Sequence, residues 1–256
     1  KHFTEVELDK SESRTDWIKR PLTERQLSYA QADVDYLYQV YPKIVAQLEQ
    51  KQLMANALEE TANQIEKKFT PIDENLLFLD IKQSWRLNAQ QLNRLKQLAK
   101  WRYNRAKQRD LPLSFVVKDH TLIALSQRDP NNVGAMANIE NIDILDIRHQ
   151  GKAMLAVLRQ VANDAAANYP AAIVRLDQHM GYKGSFRKIK SFITEIAERS
   201  DLPVEILASK KQINKFLSWH YKLNNVEQKR HEVDFLQGWR FELFGQQLQA
   251  LMEKDP

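Results

Sequence analysis

The chain has 256 residues, no cysteine, 43% hydrophobic and 28% charged residues, and a formal net charge of +5. This is the composition of one to three globular domains held by buried cores rather than by disulfides, which favours a reducing, cytoplasmic compartment. No stretch approaches the ~20 apolar residues of a membrane helix, and six glycines, about 2% of the chain against the usual ~7%, favour a mostly helical architecture over a sandwich or barrel.

The sequence starts at Lys1 without a methionine or a basic-then-apolar leader, and it reads as a fragment. A polar, charged run leads through Arg20-Pro21-Leu22-Thr23 into the first expected helix. Thr23 and Gln26 have capping-box spacing, and Leu27, Ala30, Val34 and Leu37 fall on one face. Pro42 is expected to end or kink this helix and to begin another. Tyr29 and Asp33 stand at i and i+4, so the phenol and the carboxylate point the same way one turn apart. In a two-metal nuclease a carboxylate anchors a divalent ion, and a nearby hydroxyl orients the ion's water toward the scissile phosphate. The pairing alone is weak: with 8 Tyr and 16 Asp in 256 residues, about half a match is expected by chance. Packing of Tyr29 is the competing role.

Pro71 to Asp80 reads as a linker, and the next helix runs from about Asn88 to Gln108. Asn88 and Gln91 cap it; Leu92, Leu95, Leu98, Ala99 and Ala106 share its core face. Lys96, Lys100 and Lys107 line one flank, and Arg94, Trp101 and Arg105 the other. So many like charges on one helix repel unless phosphates neutralise them, which makes these six residues candidates for nucleic-acid contact. Trp101 is a half-buried anchor or a base-stacking platform. Residues 86–128 hold ten Lys and Arg against two Asp and Glu, and residues 175–230 hold twelve against six. Two basic blocks separated by acidic stretches suit a polyanion gripped at two places.

Residues 95–157 repeat as 186–248, without a gap, at an offset of 91. Leu95 falls on Phe186, Trp101 on Phe192, and Asp110-Leu111-Pro112 on the identical Asp201-Leu202-Pro203. Phe115 then meets Ile206, Leu145 meets Leu236 and Val157 meets Leu248. Each copy is too long for a solenoid unit and suits a small helical domain. Phe186, Ile189, Ile193, Ile196 and Ala197 form a core stripe in the second copy, where Ser209 and Gln212 form another cap; Pro112 and Pro203 stop the helices before them. Ala165 to Ala167 and Pro170 read as the linker between copies. Metalloprotease, serine-hydrolase and P-loop motifs are missing, and the six histidines are scattered. Gly181-Tyr182-Lys183-Gly184 imitates an RNA-binding Gly-x-x-Gly loop, but its position in the repeat makes it a turn before a helix.

The run from Leu8 to Leu37, LDKSESRTDWIKRPLTERQLSYAQADVDYL, resembles the third exonuclease motif region of the bacterial ribonuclease D family. SWRLNAQQL, WRYNRAKQRDLPLSFVVKD, ILASKKQINKFLSWHYKL and LQGWRFELF resemble its two HRDC domains, so the resemblance covers nearly the whole chain. It implies a mostly α fold: residues 1–71 as the helical end of an RNase H-like α/β exonuclease domain, then HRDC domains at 81–162 and 178–256. It further implies a 3′–5′ exoribonuclease of the tyrosine-containing DEDD subclass, acting on tRNA precursors and other small structured RNAs. Two divalent ions, Mg2+ or Mn2+, serve each complete site; no membrane or obligate protein partner is expected. By the same resemblance Asp33 is the fourth acidic metal ligand and Tyr29 positions the attacking water, while Lys10, Arg14, Lys19 and Arg20 match basic positions of the same motif region and are candidates for substrate contact. Asp35 inherits no role.

The departure from the family is equally specific. A complete site needs an Asp-x-Glu pair and a further Asp, and Asp-x-Glu occurs nowhere in the 256 residues. One of four carboxylates does not hold two ions roughly 3.5 to 4 Å apart, so the chain alone is expected to be inactive. The alternatives are a non-catalytic nucleic-acid-binding tandem HRDC module, or a helical scaffold that contacts only protein.

Overall fold

The computed structural model describes residues 3–4, 6–7, 9–224 and 233–253, and these form helices and turns with no strand among them. Residues 225–232 and 254–256 of the expected third domain, and Leu8 at the head of the exonuclease-like run, lie outside the described residues. None of the described helices is long and apolar enough to cross a membrane. Two compact units divide the chain, Lys1–Thr70 and Pro71–Pro256.

In the first unit α1 spans Glu24–Gln50 and α2 Met54–Phe69. The expected capping box is present: the Thr23 hydroxyl accepts from the Gln26 amide, and the Gln26 side chain accepts from the Thr23 amide. Of the two outcomes expected at Pro42, an end is not found and no new helix begins there: Pro42 stands inside α1, which continues for eight more residues. A proline in a helix removes one i to i−4 bond. Here strong helix formers follow it, among them Ala46, Gln47, Leu48 and Glu49, and they carry the helix past the gap. Leu27, Ala30, Val34 and Leu37 do share a face, but that face is open: Val34 and Leu37 are 67% and 66% exposed, and Tyr38 and Tyr41 extend the patch.

The second unit contains both copies of the repeat. The first has α3 (Ala89–Arg109), α4 (Leu113–Val116), α5 (Asp119–Arg128), α6 (Val133–Ala137) and α7 (Ile144–Val161). The second has α8 (Tyr182–Ser200), α9 (Val204–Leu207), α10 (Lys210–His220), and α11 (Gly238–Arg240), which passes through a π turn at Phe241–Gly245 into α12 (Gln246–Glu253). At the π turn Gly245 lies so close to the Phe235 carbonyl oxygen that a Cβ would come within 2.1 Å of it. All five residues expected on the core face of α3 are buried. Pro71 to Asp80 is more than a linker, because a 3-10 turn at Leu77–Asp80 buries Phe78 in the first core together with Ile81. Gly181, at φ +88°, is the turn before α8, and Gly184 lies inside that helix.

The shared Asp-Leu-Pro turn has one geometry twice. Asp110 and Asp201 adopt left-handed conformations at φ 52° and 53° and close α3 and α8, while Pro112 and Pro203 open the one-turn helices α4 and α9. Those short helices leave carbonyls that need donors. Buried Arg102 donates from Nη1 to the Val117 carbonyl at 2.9 Å and to Asp119 at 2.7 Å. In the second copy Arg240 supplies the donors from α11, through Nε to the Leu207 carbonyl at 3.1 Å and Nη2 to the Ile206 carbonyl at 3.0 Å, with its guanidinium 4.3 Å above the Trp239 ring. The repeat offset carries Arg102 onto Ile193 and Arg240 back onto His149, so the two copies meet the same demand from different helices.

Replacing Arg102 with Met keeps the apolar volume but strands the Val117 carbonyl. A loss of about 2–3 kcal/mol is expected, with little recovery in Arg102→Lys, which lacks the planar fork; denaturant unfolding measures both. His220, whose ring lies parallel to Phe216 at 6.2 Å, is pushed below the usual imidazole value by burial; the charge of His179 acts in the same direction and Glu253 opposes it. Protonation therefore favours the unfolded chain. The contribution of His220 is complete above the unfolded value of about 6.5 and is lost as pH falls through it toward the folded value. His220→Phe should flatten the stability profile on the acid side of that point, read as unfolding midpoint against pH.

Candidate functional site

An open cleft of about 600 Å3 in the first unit has Tyr29 and Asp33 in its wall. The segment ahead of α1 forms its other side and is tied down locally. The Asp9 carboxylate accepts from the Ser11 amide and hydroxyl, and these hydrogen bonds hold it below the usual carboxylate range. Trp17 donates its indole N–H to the Glu12 carbonyl at 2.9 Å and lays its ring 5.8 Å from that of Tyr29, tilted by 53°. Gln26, buried at the start of α1, donates Nε2 to Thr15 Oγ1 and to the Asp16 carbonyl, both at 3.1 Å. One glutamine thus caps the helix and fixes the segment that carries Trp17.

Tyr29 is half-buried against Trp17, Asp33 is exposed one turn further on, and both face the same cleft. Asp35 points elsewhere and accepts from Gln31. Glu7, Asp9, Glu12 and Glu24 also line the cleft, which makes its wall acidic. These carboxylates do not converge: among the described residues no group of three or more His, Asp or Glu is placed to hold a metal ion. The donors among the described residues do not by themselves fit a divalent-ion pair, and Asp33 is a single potential ligand.

The basic candidates divide into free and engaged side chains. Lys10, Arg14 and Lys19 are exposed near the cleft segment. Arg20 instead donates to the carbonyls of Trp17, Ile18 and Lys19, and so braces its own loop. On α3, Arg94 is bound to Asp129 at 2.6 Å and to the Ser126 carbonyl, with only 12% of its side chain exposed. Lys96, Lys100 and Arg105 are half-buried and Lys107 is exposed. Trp101 is half-buried: it packs against the first core and also lines an open groove with Lys100, Val157 and Val161. Sequence reasoning missed Arg102 and Arg240, because nothing in a helical wheel marks a cation that turns inward to a carbonyl.

Gln26→Ala should remove the glutamine's half of the capping box and release Thr15–Trp17 together, at a cost of about 1–2 kcal/mol. Hydrogen exchange should quicken at the Thr23 amide and in the 15–18 segment, while the Gln26 amide keeps its bond to the Thr23 hydroxyl and α8 is unaffected.

Three family models match the chain: a 3′-5′ exonuclease over residues 1–49, an HRDC domain over 91–158, and the ribonuclease D C-terminal HRDC domain over 180–248. Ribonuclease D of Escherichia coli strain K12 is 35% identical over 257 residues, covering 99% of this chain and 67% of that protein. Ribonuclease D of Shewanella sp. strain ANA-3 is 38% identical over 244 residues, covering 95% and 61%. The chain thus spans about two thirds of the length of these relatives. The crystal structure of Escherichia coli RNase D, described as an exoribonuclease involved in structured RNA processing, superimposes with a TM-score of 0.88 at 35% identity over 100% of this chain and 67% of that one. A protein from Bifidobacterium adolescentis shares the fold at 18% identity, with a TM-score of 0.65. With an exonuclease model and two HRDC models matched along it, and a ribonuclease D 35% identical over 99% of it and covered to 67%, the chain belongs to the ribonuclease D family.

Proposed function

We propose that this chain is the carboxy-terminal part of a cytoplasmic 3′–5′ exoribonuclease that trims the 3′ ends of structured RNAs such as tRNA precursors. In this reading residues 1–71 belong to the catalytic domain, and HRDC domains at about 81–162 and 178–256 hold the RNA. Asp33 is one carboxylate of a site for Mg2+ or Mn2+, and Tyr29 stands beside it to orient water. The single observation that carries the proposal is the cleft: in the segment matched to 3′-5′ exonucleases, Tyr29 and Asp33 share one open wall instead of being sealed in a core. The open apolar face of α1 supports it too. A patch of Val34, Leu37, Tyr38 and Tyr41 is the kind of surface that another part of a domain covers.

The chain contributes position, not a finished centre. Trp17 restrains the phenol, the capping box fixes the first turn, and Asp33 keeps its carboxylate exposed to the cleft. The carboxylates that would complete an ion pair are not in this sequence, so the chain alone should leave RNA intact.

Incubated with magnesium and a 3′-labelled RNA, the 256-residue chain should release no labelled nucleotide. The same residues joined to the remaining third of a family member should shorten the RNA stepwise. There Asp33→Ala should abolish the activity, and Tyr29→Phe should lower it by roughly 10²- to 10³-fold, a loss of about 3–4 kcal/mol of transition-state stabilisation. Shortening by the isolated chain that disappears on Asp33→Ala would refute the reading of an incomplete site.

A further inference from the structure

The RNA-binding reading above leaves open where a strand meets the helical copies. We infer that the first copy binds a single-stranded base on the exposed ring of Phe115, with Arg109 and His149 taking adjacent phosphates, and that the second copy lacks this site. The inference rests on the proposed RNA substrate and goes beyond it by naming a subsite and the copy that holds it.

Phe115, on the one-turn helix α4, is 77% exposed and borders a groove that also contains Leu145, itself 60% exposed. An aromatic face held open beside an apolar neighbour is a stacking surface, and every base has a complementary π face. The charge around it suits a polyanion. Both acids of the groove are already engaged: Asp143 pairs with Lys118 and caps α7 through the Leu145 amide, and buried Asp146 accepts from the Lys118 amide and the Thr121 hydroxyl. Arg109 and His149, on the same groove, are exposed, and no described carboxylate binds them. Trp101, the other aromatic candidate of this copy, is half-buried against the core, so its ring is less open than that of Phe115.

The second copy provides an internal comparison, since each element of the site is altered 91 residues on. Phe115 becomes Ile206, which has no π face. Leu145 becomes Leu236, only 6% exposed. Arg109 becomes Ser200, whose hydroxyl donates back to the Ile196 carbonyl at 2.7 Å. His149 becomes Arg240, whose guanidinium is turned inward to the Ile206 and Leu207 carbonyls. The position that presents an exposed imidazole in the first copy is a structural donor in the second.

The test is fluorescence anisotropy of a labelled ten-nucleotide oligoadenylate with the 256-residue chain, over a series of salt concentrations. Phe115→Ala should weaken binding roughly tenfold, the loss of one stacked base, with an unchanged salt slope. Phe115→Trp should retain binding. Arg109→Gln should reduce the slope of log affinity against log salt by about 0.7, one phosphate's share on a single strand. Ile206→Ala should change nothing. Because Phe115 is exposed, its variants should unfold at the wild-type midpoint. If the wild type binds with salt dependence and Phe115→Ala binds equally well, or if Ile206→Ala weakens binding as much as Phe115→Ala does, the subsite is wrong although the RNA reading stands. If the wild type fails to bind at low salt, the RNA reading fails and this inference with it; a groove that captures protein but not oligoadenylate gives that result.

Discussion

A carbonyl withdrawn from water must find a donor, and in this molecule that demand decides which cations are left to meet a substrate. The one-turn helices after the two Asp-Leu-Pro turns are too short to satisfy their own peptide groups, so each copy directs a guanidinium inward, from Arg102 in one and Arg240 in the other. Arg94 is likewise spent on Ser126 and Asp129, and Arg20 on its own loop. Arg175 pairs with Asp177 and lies 4.1 Å above the Trp85 ring. Much of the basic excess therefore holds the fold. What remains for a polyanion is a smaller set, including Lys107, Arg109 and His149, whose location depends on where the structural arginines had to go.

This partition explains what was legible in the sequence. Capping boxes at Thr23, Asn88 and Ser209 are local chemistry, a side-chain oxygen three residues from a glutamine, and all three formed. The core stripe of α3 is a periodicity over many turns, which averages out accidents and places Leu92 through Ala106 correctly. The repeat was visible because apolar identity and the Asp-Leu-Pro turn are both carried by single residues. Its energetic asymmetry was not. Phe115 and Ile206 align as apolar positions, yet both lie on the outer side of a helix too short to have a period, where a hydrophobic letter says nothing about inside or outside.

Two other departures have the same origin. Pro42 is a strong local signal against a helix, but it removes one hydrogen bond from a 27-residue element whose remaining turns support one another. Pro71 to Asp80 carries linker-like residues, yet Phe78 finds a core made by residues far along the chain, and burying such a ring is worth about 2–3 kcal/mol. In both places a tertiary or cooperative term of a few kcal/mol exceeded a local preference of similar size.

The candidate catalytic helix is governed by two faces at once. At 100° per residue, the cleft positions Arg25, Tyr29, Ala32, Asp33 and Tyr36 cluster on one side of α1, and Leu27, Ala30, Val34, Leu37 and Tyr41 cluster more than a third of a turn away. The first side is covered by its own chain through Trp17 and Gln26, which is why Tyr29 is held in place without a partner domain. The second side has no such cover among the described residues of its own unit. A helix that fixes its polar edge while leaving its apolar edge bare presents the kind of surface that another part of a domain covers. The two edges of α1 thus make different demands: the cleft edge is ordered by short-range bonds from the preceding segment, whereas the apolar edge depends on cover that the described residues of its unit do not supply.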